Sequence, residues 1–322
     1  MMLKYFVKRV AQMACVLFVV SILVFFITSV IGNPVYLLVP PDATTEQIEA
    51  VTKQLGLDKP LTTQYAIFLK NALQGDFGRS YYYNQSSLKI ILERLPATME
   101  IALVSMGLTM LIGVPLGVYA GAYYKRRSSK AIMGFSIVGI SLPSFWIGMV
   151  LIYVFSVTLG WLPTSGRGDI GVLFGIRTSL ATASGWRHVI LPAITLSLAN
   201  LATIIRLVRA GMQENMRQDY VKFARAKGVS NRSVLFGHAL KNTMIPVITI
   251  FGLQLGDIIA FTTITETIFA WPGIGKLLID SISSLDRPIV SAYLLLVAVM
   301  FVVINFIVDL LYVVVDPRVD LK

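Results

Sequence analysis

The stretch Asp219-Tyr220-Val221-Lys222-Phe223-Ala224-Arg225-Ala226-Lys227-Gly228-Val229-Ser230, running on through Asn242 to Pro246, separates two long apolar blocks. Its composition spells helix, turn, helix. Asp219 is a candidate N-cap, helix formers run to Lys227, and Gly228 stands where a left-handed residue ends a helix. Ser230 is placed to cap the second helix. The first helix, of about two to three turns, is expected to present Val221, Ala224 and Arg225 on one face, with small Ala226 beside Gly228. A short helix of small and cationic residues suits docking in a groove of another protein.

Outward from this stretch the chain is built of apolar blocks. A hydrocarbon core about 30 Å thick takes about 20 apolar residues as helix. Six blocks qualify, near 10–31, 97–124, 131–159, 188–212, 244–268 and 289–315. Pro115, Pro143, Pro192 and Pro246 lie within them, where buried membrane helices tolerate proline and often kink. Of the 322 residues, 56% are hydrophobic and 14% charged, against about 25% charged in soluble domains. So little charge cannot cover a globular surface in water. Cys15 is the single cysteine, so there is no disulfide framework. Residues 1–9 are basic, like a signal peptide, but the apolar run that follows outlasts an h-region of about 7–15 residues. It is expected to be an uncleaved first span.

The net charge of +11 is a membrane-orientation signal rather than a nucleic-acid footprint. With the N-terminus inside, 17 of the 28 Lys and Arg fall on short inner segments that hold four carboxylates, among them Glu214 and Asp219. The remaining basic residues are spread over longer outer loops together with nine carboxylates. The positive-inside rule then predicts N- and C-termini on the cytoplasmic side. Segment 32–96 is external on this topology. Thr44 and Gln47 form a candidate capping box, Ile48, Val51 and Leu55 follow at helical spacing, and Gly56 stops the pattern. Pro60 starts a second pattern through Tyr65, Phe68, Leu69 and Leu73, ended by Gly75. Two short amphipathic helices are expected there, serving as a lid or as a docking surface.

No residues assemble into a catalytic centre. There is no G-x-x-x-x-G-K-[ST] loop; Gly273-Ile274-Gly275-Lys276-Leu277 has neither the spacing nor the hydroxyl residue. His188 and His238 are isolated and no H-E-x-x-H occurs, so no metal site and no bound cofactor are expected. Glu100, Asp257 and Glu266 lie within or at the edges of spans, where a carboxylate facing lipid costs about 2.5–3.5 kcal/mol. Each must therefore face protein or water. Asp257, beside Gly256, is the deepest. It either faces a translocation cavity or pairs with a polar group on a neighbouring helix. Trp271-Pro272-Gly273 reads as a turn at the membrane surface, with Trp suited to the interface. The apolar positions Ile274, Leu277, Leu278 and Ile282 continue it as a short gate helix or an interfacial anchor.

The whole stretch 219–246 resembles the coupling loop of ABC importer permeases. Ala224-Arg225-Ala226-Lys227-Gly228, where the wider family begins Glu-Ala-Ala, is similar to the dipeptide/oligopeptide/nickel branch. The resemblance extends to Gly75-Asp76-Phe77-Gly78-Arg79-Ser80, Leu95-Pro96-Ala97-Thr98, Pro143-Ser144-Phe145-Trp146, Leu162-Pro163-Thr164-Ser165-Gly166-Arg167 and Ile190-Leu191-Pro192. It continues through Glu266 to Gly275 and ends in Val308-Asp309-Leu310 with Asp316-Pro317-Arg318. Leu285-Asp286-Arg287-Pro288 departs from the family's Arg-Asp-Tyr-Pro.

The resemblance implies an all-α membrane protein with six transmembrane helices of the type I ABC importer permease fold. A long external loop would carry short helices, and a cytoplasmic coupling helix would dock on the ATPase. Residues 1–96 would form the first span with the external segment, and residues 97–322 a five-helix core with coupling loop 214–242. Asp219, Tyr220, Ala224, Arg225, Ala226, Lys227 and Gly228 would couple to the ATPase. Asp257 and Glu266 would border the path, and Trp271, Pro272 and Gly273 an external gate.

The implied partners are a second homologous permease subunit, two ATP-binding subunits that use ATP and Mg, an external solute-binding protein and the lipid bilayer, without nucleic acid. The implied location is the bacterial cytoplasmic membrane. The implied function is uptake of di- or oligopeptides by alternating access, with nickel or glutathione as alternative solutes. A stand-alone secondary transporter would favour inverted repeats and paired mid-membrane charges, and neither is evident.

Overall fold

The computed structural model describes residues 2–30 and 35–315, so Asp316-Pro317-Arg318 lies outside the described residues. The N-terminal part holds α1 (Met2–Val30), α2 (Val35–Leu38), α3 (Thr45–Gln54), α4 (Leu61–Leu73) and α5 (Ser87–Ala122). Next come α6 (Arg127–Ser141) and α7 (Ser144–Leu151), the latter continued by a wide π-type helix, Ile152–Thr158. Strands β1 (Gly171–Leu173) and β2 (Ile176–Thr178) form an antiparallel hairpin pairing Val172 with Arg177. Then follow α8 (Ala183–Asn215), α9 (Asp219–Ala226), α10 (Asn231–Ser233) with a π-type continuation Val234–Ala239, and α11 (Leu240–Phe261). The chain closes with α12 (Thr263–Ile268), α13 (Ile274–Ser283) and α14 (Arg287–Val315).

Four helices (α1, α5, α8 and α14) are long and apolar enough to cross a membrane singly; the described residues give six spans if each of two bent pairs counts as one. The first pair is α6 with Ser144–Thr158, bent by 104°. The sequence expectation of one kinked helix over 131–159 is corrected here to a break. Leu142 stands before Pro143 in extended backbone (φ −91°, ψ 134°), as the ring of a following proline demands. The second pair bends by 52° between Asn231–Met244 and Pro246–Phe261. Pro192, by contrast, sits inside an uninterrupted α8. At 36 residues, α5 is about 54 Å long, well beyond the apolar slab.

The chain divides into two compact units. One comprises residues to Pro96 together with Gly273–Val302. Its core packs Ile90 and Ile91 of α5 on Ile274 and Leu277 of α13 and on Ile289, Ala292 and Tyr293 of α14. The two short helices expected after the first span are present. Thr44 and Gln47 exchange both bonds of the capping box, at 3.4 and 3.0 Å, and Gly56 and Gly75 follow the helices with positive φ. Tyr65 and Phe68 of α4 pack on Phe25 of α1, with ring centroids 5.4 and 5.7 Å apart, and Tyr65 shares a 2.9 Å hydrogen bond with Ser21. Asp286, fully buried, ties the segment after α4. Its carboxylate accepts from the Ser80 hydroxyl and from the Tyr81 and Tyr82 amides. Burial raises the Tyr81 phenol above its ordinary pKa; Arg287 opposes the shift and Asp286 adds to it.

The other unit comprises Ala97–Pro272 and the end of α14 from Val303. One of its seams joins α5 to α8. Gly113, Gly117 and Gly121, one helical turn apart, face Ile204, Val208 and Met212. A Cβ on Gly117 would lie 2.6 Å from that of Val208, and one on Gly121 2.6 Å from that of Met212. Small residues repeating every four positions let two backbones approach this closely, the usual solution where lipid offers no hydrophobic drive between helices.

Candidate functional site

Helix α9 and its flanks are built from local rules. Gln218, not Asp219, is the N-cap and makes no side-chain capping bond. Asp219 is instead the first helical residue, where a carboxylate favours the helix dipole. It pairs with Lys222 at 2.7 Å, which draws its carboxyl below the usual range; the pair is exposed and stabilises little.

The other end closes as a Schellman motif. The Gly228 amide donates to Arg225 O at 2.9 Å and the Val229 amide to Ala224 O at 3.2 Å, with Gly228 at φ +76°. Both bonds, and the apolar contact of Val229 with the cluster holding Ala224, belong to that cap. Ser230 then accepts from the Ser233 amide at 3.3 Å and caps α10. Replacing Gly228 with Ala, which strains the left-handed backbone by about 1 kcal/mol, is expected to speed amide exchange in 219–229 about fivefold. Hydrogen-exchange mass spectrometry reads this directly.

The faces of α9 differ from the expected ones. Val221 and Ala224 are buried against Val234, Met216 and Val229, but Arg225 points to the exposed side together with Ala226 and Lys227. The exposed face carries aromatic rings. Phe223 is 62% exposed, with the Lys227 ammonium 4.5 Å from its ring centroid. Tyr220 lies partly exposed, and its hydroxyl donates to Asn215 Oδ1 at 2.8 Å and accepts from Asn242 Nδ2 at 3.0 Å. Asn215 in turn donates to Thr243 Oγ1 at 3.2 Å. One tyrosine thus ties the end of α8, helix α9 and the start of α11. Sequence reasoning missed this polar clamp, because its members lie far apart in the chain and none is unusual in type.

The carboxylates divide sharply. Asp257 is exposed on α11, and among the described residues it has no hydrogen bond or ion pair. Among the described residues the alternative that it pairs with a neighbouring helix is not realised. Glu266 is fully buried, accepting from Thr98 at 2.6 Å and Thr262 at 3.2 Å. A fully buried carboxylate does not line an aqueous path in this conformation, which corrects that expectation. Trp271 is likewise corrected. It is not an interfacial ring but a fully buried one, whose indole donates to Ala97 O at 2.8 Å. Pro272 and Gly273 follow it, and Gly273 in extended backbone precedes α13. Glu100 accepts a forked ion pair from Arg167 at 2.6 and 2.9 Å, and further bonds from Thr178 and from the amide and hydroxyl of Ser179. It anchors the β1–β2 hairpin to α5. Among the described residues no group of three or more His, Cys, Asp or Glu could hold a metal ion.

Residues 113–321 match the family described as binding-protein-dependent transport system inner membrane component. Residues 2–102 match the N-terminal family of such transport membrane components. The chain is similar to the glutathione transport system permease protein GsiC of Escherichia coli (strain K12), 39% identical over 322 residues that cover 100% of both chains. The protein of the same name from Shigella dysenteriae serotype 1 (strain Sd197) has the same identity and coverage. Among solved structures, the inward-facing MetNI methionine ABC transporter in its native crystal form aligns with a TM-score of 0.56 at 13% identity. The alignment covers 71% of this chain and 97% of that one. Its selenomethionine-soaked crystal form gives 0.55 at 16% identity, covering 70% and 96%. At such identities the likeness is one of fold, that of type I ABC importer permeases.

Proposed function

The chain belongs to the binding-protein-dependent transport inner membrane components, as a non-catalytic permease subunit of an ABC importer in the inner membrane, and we propose that it passes short peptides. Glutathione, itself a tripeptide, is the first solute to test. The observation that carries this is the full-length similarity to glutathione permeases at 39% identity. In this reading a second homologous permease completes the path. Of two ATP-binding subunits that use ATP and Mg, one docks at α9, a binding protein delivers solute on the opposite side, and both termini are cytoplasmic. Alternating access follows: closure of the ATPases pushes α9, and the spans attached to it reorient.

The exposed aromatic face of α9 supports the docking role. Phe223 is a large ring held outward on a helix whose two ends are fixed, and aromatic anchors of this kind dominate interface energies. Phe223→Asp is expected to lower solute uptake about tenfold or more. Because the ring is exposed, thermal unfolding should shift by less than about 0.5 kcal/mol. Uptake of labelled glutathione and of dipeptides is measured in cells whose own copy is deleted and replaced by wild type or variant. Uptake of neither peptide class by the wild type, with another solute restored, overturns the solute reading. Unchanged uptake in Phe223→Asp overturns the docking reading.

A further inference from the structure

A cavity of about 370 Å³ opens where the last turns of α5 meet the start of the α10–α11 segment. Its floor is apolar, made by Pro115, Val118 and Leu235, with Phe236 at the side. Its rim is cationic and aromatic. Tyr123 and Arg232 line it, and the Arg126 guanidinium stacks 4.4 Å from the Tyr123 ring centroid. Among the described residues no carboxylate lines the cavity. In the sequence, residues 119–135 and 228–243 hold Lys125, Arg126, Arg127, Lys130, Arg232 and Lys241 and no Asp or Glu. The α9 carboxylate, Asp219, is engaged with Lys222.

This combination has one natural occupant. A soluble anion would use the cations and leave the apolar floor wet; a neutral apolar ligand would leave the cations without use. The site lies at the end of a span, beside Tyr119, Tyr123 and Tyr124, the depth at which aromatic belts and headgroups sit. Basic clusters just beyond a span attract acidic lipids. We propose that this cavity binds one anionic phospholipid, its phosphate held by Arg126 and Arg232 and an acyl chain laid over Pro115, Val118 and Leu235. Arg126, the residue before α6, is presented by its stack on the lining residue Tyr123, and Arg232 is supplied by α10. A lipid there joins those elements on the same side as α9.

The test titrates the detergent-purified full-length chain with phosphatidylglycerol or phosphatidylethanolamine of matched acyl chains and counts retained lipid by native mass spectrometry. One phosphatidylglycerol per chain is expected, with phosphatidylethanolamine retained far more weakly and excess inorganic phosphate unable to displace the lipid. The double variant Arg126→Gln/Arg232→Gln is expected to weaken retention about thirtyfold, roughly fivefold for each cation removed near an anionic headgroup. Arg126→Lys/Arg232→Lys, which keeps the charge, should retain the lipid. Lys53→Gln/Lys59→Gln, which removes two exposed cations elsewhere, should behave as wild type. Equal retention of both lipids, displacement by phosphate, no retention by the wild type, or equal losses in the two glutamine variants would each overturn the proposal.

Discussion

Glu100→Ala is expected to destabilise the unit containing Ala97–Pro272 by about 3–5 kcal/mol, the cost of stripping one partner from a buried ion pair. The carboxylate is 5% exposed and the Arg167 side chain 12%, so removing Glu100 leaves the guanidinium uncompensated. It also orphans the hydroxyls of Thr178 and Ser179 and the Ser179 amide. Thermal unfolding in detergent reads the loss. Glu100→Ala/Arg167→Ala should lose less than the sum of the single variants, because the second change removes the stranded charge. The β1–β2 hairpin, whose Phe174 is 95% exposed, should become protease-sensitive in Glu100→Ala before the helices do.

The second large effect lies at the α5–α8 seam. Gly117→Leu is expected to cost at least about 3 kcal/mol, the upper part of the range for overpacking. A Cβ there meets Val208 at 2.6 Å and the backbone oxygen of Ile205 at 3.0 Å, and a carbonyl on a helix cannot rotate away. Gly107, on the same helix, has nothing within 4 Å of the equivalent position. Gly107→Leu should therefore be tolerated, and helix propensity gives it a gain of several tenths of a kcal/mol. Equal melting temperatures for the two variants would remove close packing as the reason for the glycine row.

What the sequence disclosed follows from how local each signal is. The capping box at Thr44, the stops at Gly56 and Gly75, and the Gly228 turn are read within a few residues, and the structure has them all. The apolar blocks likewise needed only hydropathy. Burial of a particular ring or carboxylate is decided by distant partners. Trp271 has the composition of an interfacial residue, yet it bonds to Ala97, and Glu266 bonds to Thr98. The clamp of Asn215, Tyr220, Asn242 and Thr243 was invisible for the same reason. The glycine row at 113, 117 and 121 was not read from the sequence, although its four-residue spacing stands there; its significance comes only with the helix opposite. The hairpin at 171–178 is too short to carry a strand pattern against its apolar surroundings.

The break at Pro143 has a consequence for how the third apolar block meets lipid. The 15 residues of α6 make a rod about 22 Å long, and Ser144–Thr158 is equally short. Neither reaches across an oil layer about 30 Å deep. Hydrocarbon gives no hydrogen bonds to the backbone carbonyls that a helix end releases. The elbow at Leu142 must therefore rest against protein, its own α8 included, or against water that dips below the headgroups. A thiol placed at position 142 would be read by aqueous reagents as shallow, although hydropathy places it at the centre of a span.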